Sequence, residues 1–314
     1  MESIEHYHPE FVKGYAAQES ACTCLACRHA QPGFPYVSIR LKNQQRESLN
    51  LACETAARQA LLNPEAFVLH TEPKPAESET VLDAWHEALN QHCINLAIHP
   101  ALTLEGRLYA IGVLLSKAQQ YRDQGEQEPA LLSAMAEQLA DLAEKGVLAQ
   151  QFALLPAIPE HQVAALKEMG AIRLNLDVPM AEKMAMALKL SELAILSPSR
   201  LAERHQAMAA QWQAITLFDE QPWILTNALI YQLYHQVFPG IACDNYGEAF
   251  LALARDFFCI KMLCAIRSAD NHQLTAEEAA MLVSAFEAWK QQHPFPPKGD
   301  TTADYSLLCG LSLL

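Results

Sequence analysis

From about residue 80 to His293, apolar side chains return every three or four positions with few glycines between them, and this recurrence restricts the fold more than any other feature of the chain. Leu104, Leu108, Ile111, Leu115 and Ala118 fall on one face of a helix, as do Tyr246, Phe250, Leu253, Phe257, Ile260 and Cys264. A strand would throw neighbours to opposite sides, so both stretches are read as core helices. Local punctuation agrees with the period. Thr275 with Glu278 forms a capping box ahead of Leu282, Phe286 and Trp289, and His293-Pro294 closes that helix. Ser197 caps a helix that has Pro198 in its first turn and runs to about Trp212. Further helices are expected near residues 80–98, 129–150, 159–169, 180–195 and 221–237. Brief alternation predicts short extended pieces at Tyr36–Leu41, Ala66–His70 and Ile172–Val178, paired into a small sheet or unpaired.

The fold class that follows is mainly α, a multi-helical body with a small irregular cysteine-bearing N-terminal region. Residues 1–78 form that region, 79–293 the helical body and 294–314 a C-terminal tail, with a possible hinge at the proline-marked stretch 152–160. The tail opens as a turn-rich linker and ends apolar, so its end is expected to dock on the body. The body is expected to hold its fold without help from the cysteines.

Composition narrows the partners. With 51% hydrophobic and 18% charged residues over 314 positions, the chain can bury a large core. Its 22 basic against 36 acidic side chains leave a net charge of −14 with no basic run, which argues against nucleic acid or an anionic membrane as partner and favours a cationic partner group. The polar, acid-bearing start lacks the basic-then-apolar pattern of a secretory signal, and no apolar run is long enough to span a bilayer. A cytoplasmic location with reduced thiols is therefore expected.

No glycine-rich turn marks a nucleotide site, and neither G-x-S-x-G nor H-E-x-x-H occurs. What stands out is Cys22, Cys24 and Cys27 within six positions, with Cys53 as a fourth thiol further on. Thiolates favour zinc, copper(I) or iron–sulfur iron, and four sulfurs from two chain segments complete a tetrahedral zinc site or a cubane cluster. The plain alternative is a set of free thiols on a mobile segment. His6, His8 and His29 are further imidazoles near this region, read in the first instance as solvated. Cys243, Cys259, Cys264 and Cys309 sit among apolar residues and read as small buried hydrophobes. Arg58, Arg107 and Arg255 lie in apolar helical stretches, with Glu54 one turn before Arg58 as a structural ion-pair partner.

Three separated stretches resemble the flagellin lysine-N-methylase family of bacteria. PEFVKGYAAQESACTCLAC at residues 9–27 is similar to the family's start, a proline-x-phenylalanine-valine segment leading into Ser-x-Cys and a cysteine cluster. SLNLACETAARQALLNPEAF at 48–67 looks like its serine-leucine, cysteine, glutamate and Ala-Arg block, and is followed by LEGRLYAIGVLLSKAQQY at 104–121. WILTNALIYQLYHQVFP at 223–239, with the FLALARDFFCIKMLC and AAMLVSAFEAW helices, resembles its C-terminal helical region. Cys22 and Cys53 match family positions, while Cys24 and Cys27 fall in the cluster with altered spacing. The stretch between Cys27 and Leu49 is shorter than in the family, where further cysteines lie. The resemblance implies a protein-lysine N-methyltransferase acting on flagellin, with S-adenosylmethionine as methyl donor. It also implies a metal centre, an iron–sulfur cluster or zinc, on Cys22, Cys24, Cys27 and Cys53. Methyl transfer needs a neutral lysine amine, so acidic groups in a dry pocket are expected near the site. The runner-up function is a non-catalytic helical binding or metal-handling protein, a shortened relative without the chemistry.

Overall fold

The computed structural model describes residues 3–18, 20–75, 78–156, 158–270, 272–294 and 301–314. In chain order it runs β1 (Ser3–Pro9), α1 (Glu10–Ala16), α2 (Leu25–Arg28), β2 (Tyr36–Arg40), β3 (Gln44–Leu49), α3 (Glu54–Leu62) and β4 (Leu69–Pro75). Helices follow: α4 (Ala84–Ala97), α5 (Leu104–Asp123), α6 (Pro129–Glu144), α7 (Val147–Ala153), α8 (Pro159–Met169), α9 (Met180–Ile195) and α10 (Pro198–Gln213). The last are α11 (Leu217–Glu220), α12 (Trp223–His235), α13 (Tyr246–Arg267), α14 (Ala276–Gln292) and α15 (Ala303–Leu311). The fold is thus predominantly helical, with a small cysteine-bearing N-terminal region that contains short strands. Among the described residues no helix is long and apolar enough to cross a membrane.

The chain divides into two compact units, each assembled from separated stretches. One unit comprises residues 1–79, 162–228 and 259–295, and the other 80–161, 229–258 and 296–314. Three of the chain's five crossings from one to the other fall within helices, α8, α12 and α13.

The first unit carries a four-stranded sheet in the order β2-β3-β1-β4. β1 pairs parallel with β3 and antiparallel with β4, and β2 pairs antiparallel with β3. A parallel pair needs a crossover. Here the chain from α1 through the cysteine segment and β2 supplies it. β2 and β4 overlap two of the expected extended pieces, whereas Ile172–Val178 forms no strand. Ile172 and Leu176 of that stretch are buried, so the alternation was real, but no neighbouring strand offers a ladder. The central β3, QQRESL, was not expected. Its side chains are mostly buried yet polar, and they pair with one another and with β2: Gln45 donates to Ser38 of β2 (2.8 Å) and to Glu47 (2.7 Å), and Arg46 to Gln44 (2.7 Å).

Helix α1 starts without a side-chain cap; instead the Glu10 and Phe11 amides donate to the Val68 and Ala66 carbonyls at 2.9 Å. That docking holds the turn before β4 and buries Phe11 beside Phe67, ring centroids 5.1 Å apart. α3 lies against α1 and α14. Ala56, Ala57, Ala60 and Leu61 form its buried face, and Ser284 of α14 donates to the Ala52 carbonyl at 3.1 Å. Beyond its C-terminus, Trp223 and Asn227 of α12 donate to the Leu62 and Asn63 carbonyls at 3.1 and 2.8 Å.

In the second unit α5 packs against α4, α6, α7 and α15. The expected helix over 129–150 breaks at Gly146, whose φ of 70° ends α6 in a left-handed turn before α7. Phe250 fills the centre: a Cβ on Gly112 of α5 would come within 2.8 Å of its ring, and one on Gly310 of α15 within 2.7 Å. Close helix approach at these two points thus requires glycine. The expected docking of the apolar C-terminal end is seen in α15, where Leu307, Cys309 and Gly310 are buried. The turn-rich linker before it lies at 295–300, outside the described residues. The capping boxes and caps read from sequence at Thr275 and Ser197 form as expected.

Candidate metal centre and adjoining cavity

Two helix starts place the cysteines. Cys24 is the residue before α2 and Cys53 the residue before α3, each with extended backbone that turns into the helix. Cys22 precedes α2 on the same short segment, and Cys27 lies within the helix. The four sulfurs converge, all within 4.8 Å of one another, with Cys27 to Cys53 at 3.5 Å and Cys53 to Cys22 at 3.6 Å. Cys53 is fully buried and the other three are half-buried. Of the imidazoles, His29 is not in this group, and His6 and His8 cluster elsewhere with Glu72.

The surroundings favour a thiolate at Cys24. The Thr55 hydroxyl donates to Cys22 Sγ at 3.0 Å, and the Cys24 amide approaches the same sulfur at 3.5 Å. A hydrogen bond from the Cys53 thiol, then the backbone amides of Cys27 and Glu54, outweigh burial and bring Cys24 down to about 4. Cys27 is pushed up to about 12, first by burial, and Cys53 upward by its bond to Cys24 and by burial. Tyr15 of α1 reaches the Cys53 sulfur, and burial holds its hydroxyl protonated.

A tetrahedral ion with Zn–S bonds of about 2.3 Å has sulfurs about 3.8 Å apart, so the observed separations fit a single ion on these donors. A four-iron cluster, with one sulfur on each iron, would need the same thiols opened outward.

A cavity of about 960 Å³ opens beside the cluster, inside the first unit. Cys24 lines it, as do Phe34, Tyr36, Arg173, Trp289 and His293. Trp289 of α14 and His293 just past its end stack nearly parallel, centroids 5.3 Å apart. Arg173 is tied to the Gly170 and Ile172 carbonyls at 2.7 and 2.9 Å. Glu54 is the one carboxylate among the described lining residues, its group 3.8 Å from Arg58 as the spacing predicted. The sequence reading assigned no site role to Tyr15 or Thr55, and read Trp289 and His293 only as a core residue and a helix stop. Thr55 stands two residues after Cys53 and could have been noticed; the α14 pair lies more than two hundred positions away and carries no local signal. Of the remaining cysteines, Cys259, Cys264 and Cys309 are buried as expected, while Cys243 is only half-buried.

Within a predominantly helical chain, four thiols that could hold a metal ion border an aromatic-lined cavity, a candidate metal site beside a candidate binding site. The family model described as the FliB lysine N-methylase C-terminal domain matches residues 90–295, more than half of the chain. The chain belongs to the FliB lysine N-methylase family. The lysine-N-methylase of Salmonella choleraesuis strain SC-B67 is 22% identical over 282 residues, covering 85% of this chain and 69% of that protein. The lysine-N-methylase of Salmonella typhimurium strain LT2 is 20% identical over 280 residues, with the same coverage. No solved structure matches.

Proposed function

We propose that this chain is a protein-lysine N-methyltransferase that takes its methyl group from S-adenosylmethionine and acts on flagellin, with a metal centre on Cys22, Cys24, Cys27 and Cys53. Family membership supports the reaction class. The observation that carries the site assignment is that Cys24 belongs to the thiol cluster and to the cavity wall at once.

The cavity's volume lies at the upper end of the range of small-molecule sites, about 300–1,000 Å³. Tyr36 and the stacked Trp289–His293 pair supply faces for an adenine ring or for a cationic group. Glu54 is placed to draw in the lysine ammonium and to orient its nitrogen. A centre on the four thiols supplies local closure if it is zinc and one-electron chemistry if it is iron–sulfur. In net terms the methyl–sulfur bond of the donor breaks, a carbon–nitrogen bond forms on lysine, and the nitrogen gives up one proton.

The test is anaerobic purification with metal and sulfide analysis, followed by transfer of labelled methyl from S-adenosylmethionine to flagellin. The expected result is a stoichiometric metal and labelled lysine, with Cys24→Ser losing both. Metal without methyl transfer would favour a metal-handling protein, and neither would favour a helical binding protein.

A further inference from the structure

The geometry points to a second metal site, formed by His6, His8 and Glu72 on the sheet of the first unit and suited to a divalent ion of the zinc type. It shares no residue with the cysteine cluster and does not depend on the methyltransferase reading.

Strand period places it. His6 and His8 are two apart on β1 and so project to the same side, and β4 sets Glu72 directly opposite His6. His8 Nε2 lies 2.7 Å from Glu72 Oε1 and 3.0 Å from His6 Nδ1, and His6 Nδ1 lies 3.6 Å from the same carboxylate oxygen. Ligands about 2.1 Å from a tetrahedral ion are about 3.4 Å apart, so these three donors lie close to the edges of one coordination polyhedron.

The carboxylate that would support His6 from behind is already bonded to it. Glu47 of β3 accepts from His6 Nε2 at 2.7 Å, which fixes the proton on that nitrogen and leaves the Nδ1 lone pair facing His8 and Glu72. A carboxylate behind a ligating imidazole is the usual support of a metal-bound histidine. Glu47 is in turn held by Ser38 at 3.0 Å and Gln45 at 2.7 Å. His6 is buried, which restrains its ring, while Glu72 is exposed and gives an ion a way in. His70, opposite His8, is turned away and bonded to Glu10 at 2.6 Å. Three protein donors leave a fourth position for water or an exchangeable ligand.

The full chain, with its cysteine centre as purified, is titrated with Zn²⁺ by calorimetry and with Co²⁺ by absorption. One equivalent beyond the metal already present is expected. His8→Ala and Glu72→Gln, both at accessible positions, should each weaken it by at least tenfold, and Glu47→Gln by about 10–100-fold. The added Co²⁺ should show ligand-field bands without thiolate charge transfer. No added equivalent, unchanged affinity in the variants, or charge-transfer bands from the added ion would each overturn the site. Circular dichroism of the variants separates a lost ligand from lost folding.

Discussion

At the scale of single residues, Cys53 and Cys24 occupy equivalent positions ahead of two helices but differ in exposure. Cys53 has no solvent access and packs beside Ala56, Ala57 and the Ser284 contact at Ala52, whereas Cys24 is half-buried at the cavity wall. Serine at position 53 buries a smaller, more polar group at a fully enclosed site, where the Tyr15 and cysteine contacts were set for a sulfur; loss of such contacts costs about 1–3 kcal/mol. Cys53→Ser should therefore lower the urea midpoint as well as abolish bound metal, while Cys24→Ser should abolish metal with little change in midpoint. Equal midpoints for the two would remove the distinction.

A second charge-bearing site is Glu278. Burial alone would raise its carboxyl, but the Thr275 amide, His272 and Arg267 overcome that and bring it to about 2. Its folded value lies below the ordinary one, so the unfolded chain takes up the proton first as pH falls. The stabilisation is complete above about pH 4.5 and is lost as pH drops through about 2. Measured by urea unfolding between those limits, Glu278→Gln should show a shallower loss of stability with acid than the unaltered chain. Parallel curves would mean that Glu278 does not titrate on folding.

At the scale of elements, propensity and packing can be set against each other at Gly112. In an open helix, alanine for glycine gains about 1 kcal/mol. Here the added methyl would meet the Phe250 ring at 2.8 Å, and overpacking costs about 1–3 kcal/mol. Gly112→Ala should therefore destabilise the chain or leave it unchanged. A raised melting temperature would show that Phe250 yields freely. Phe257→Ala, on the same helix and 1% exposed, should cost about 3–5 kcal/mol.

The long helices were legible in the sequence because their period and caps are local, as the Thr275–Glu278 box and the Ser197 cap of α10 show. β1 and β3 were not. β3 is a polar strand whose burial depends on ladder partners at both sides, and no alternation advertises it. The cysteine set was legible as a list of residues, with Cys53 added to the trio as a fourth thiol; that the four sulfurs approach one another depends on how the chain enters α2 and α3, which the list does not carry. The cavity was not legible, since its walls combine the cysteine segment with α14, and only the fold brings them together.

At the scale of the whole molecule, the first unit is discontinuous. Its thiol segment and α3 come from the first 79 residues, yet the helix that covers them, α14, lies at 276–292. The Ser284 to Ala52 bond spans 232 positions of chain. During synthesis at about 5–20 residues per second, roughly 10–50 seconds separate the appearance of the cysteines from the arrival of their cover. For that interval the thiols emerge on a peptide open to oxidants, metal carriers and assembly factors alike. A group that met them in that interval would find the thiols without the cavity wall that α14 supplies.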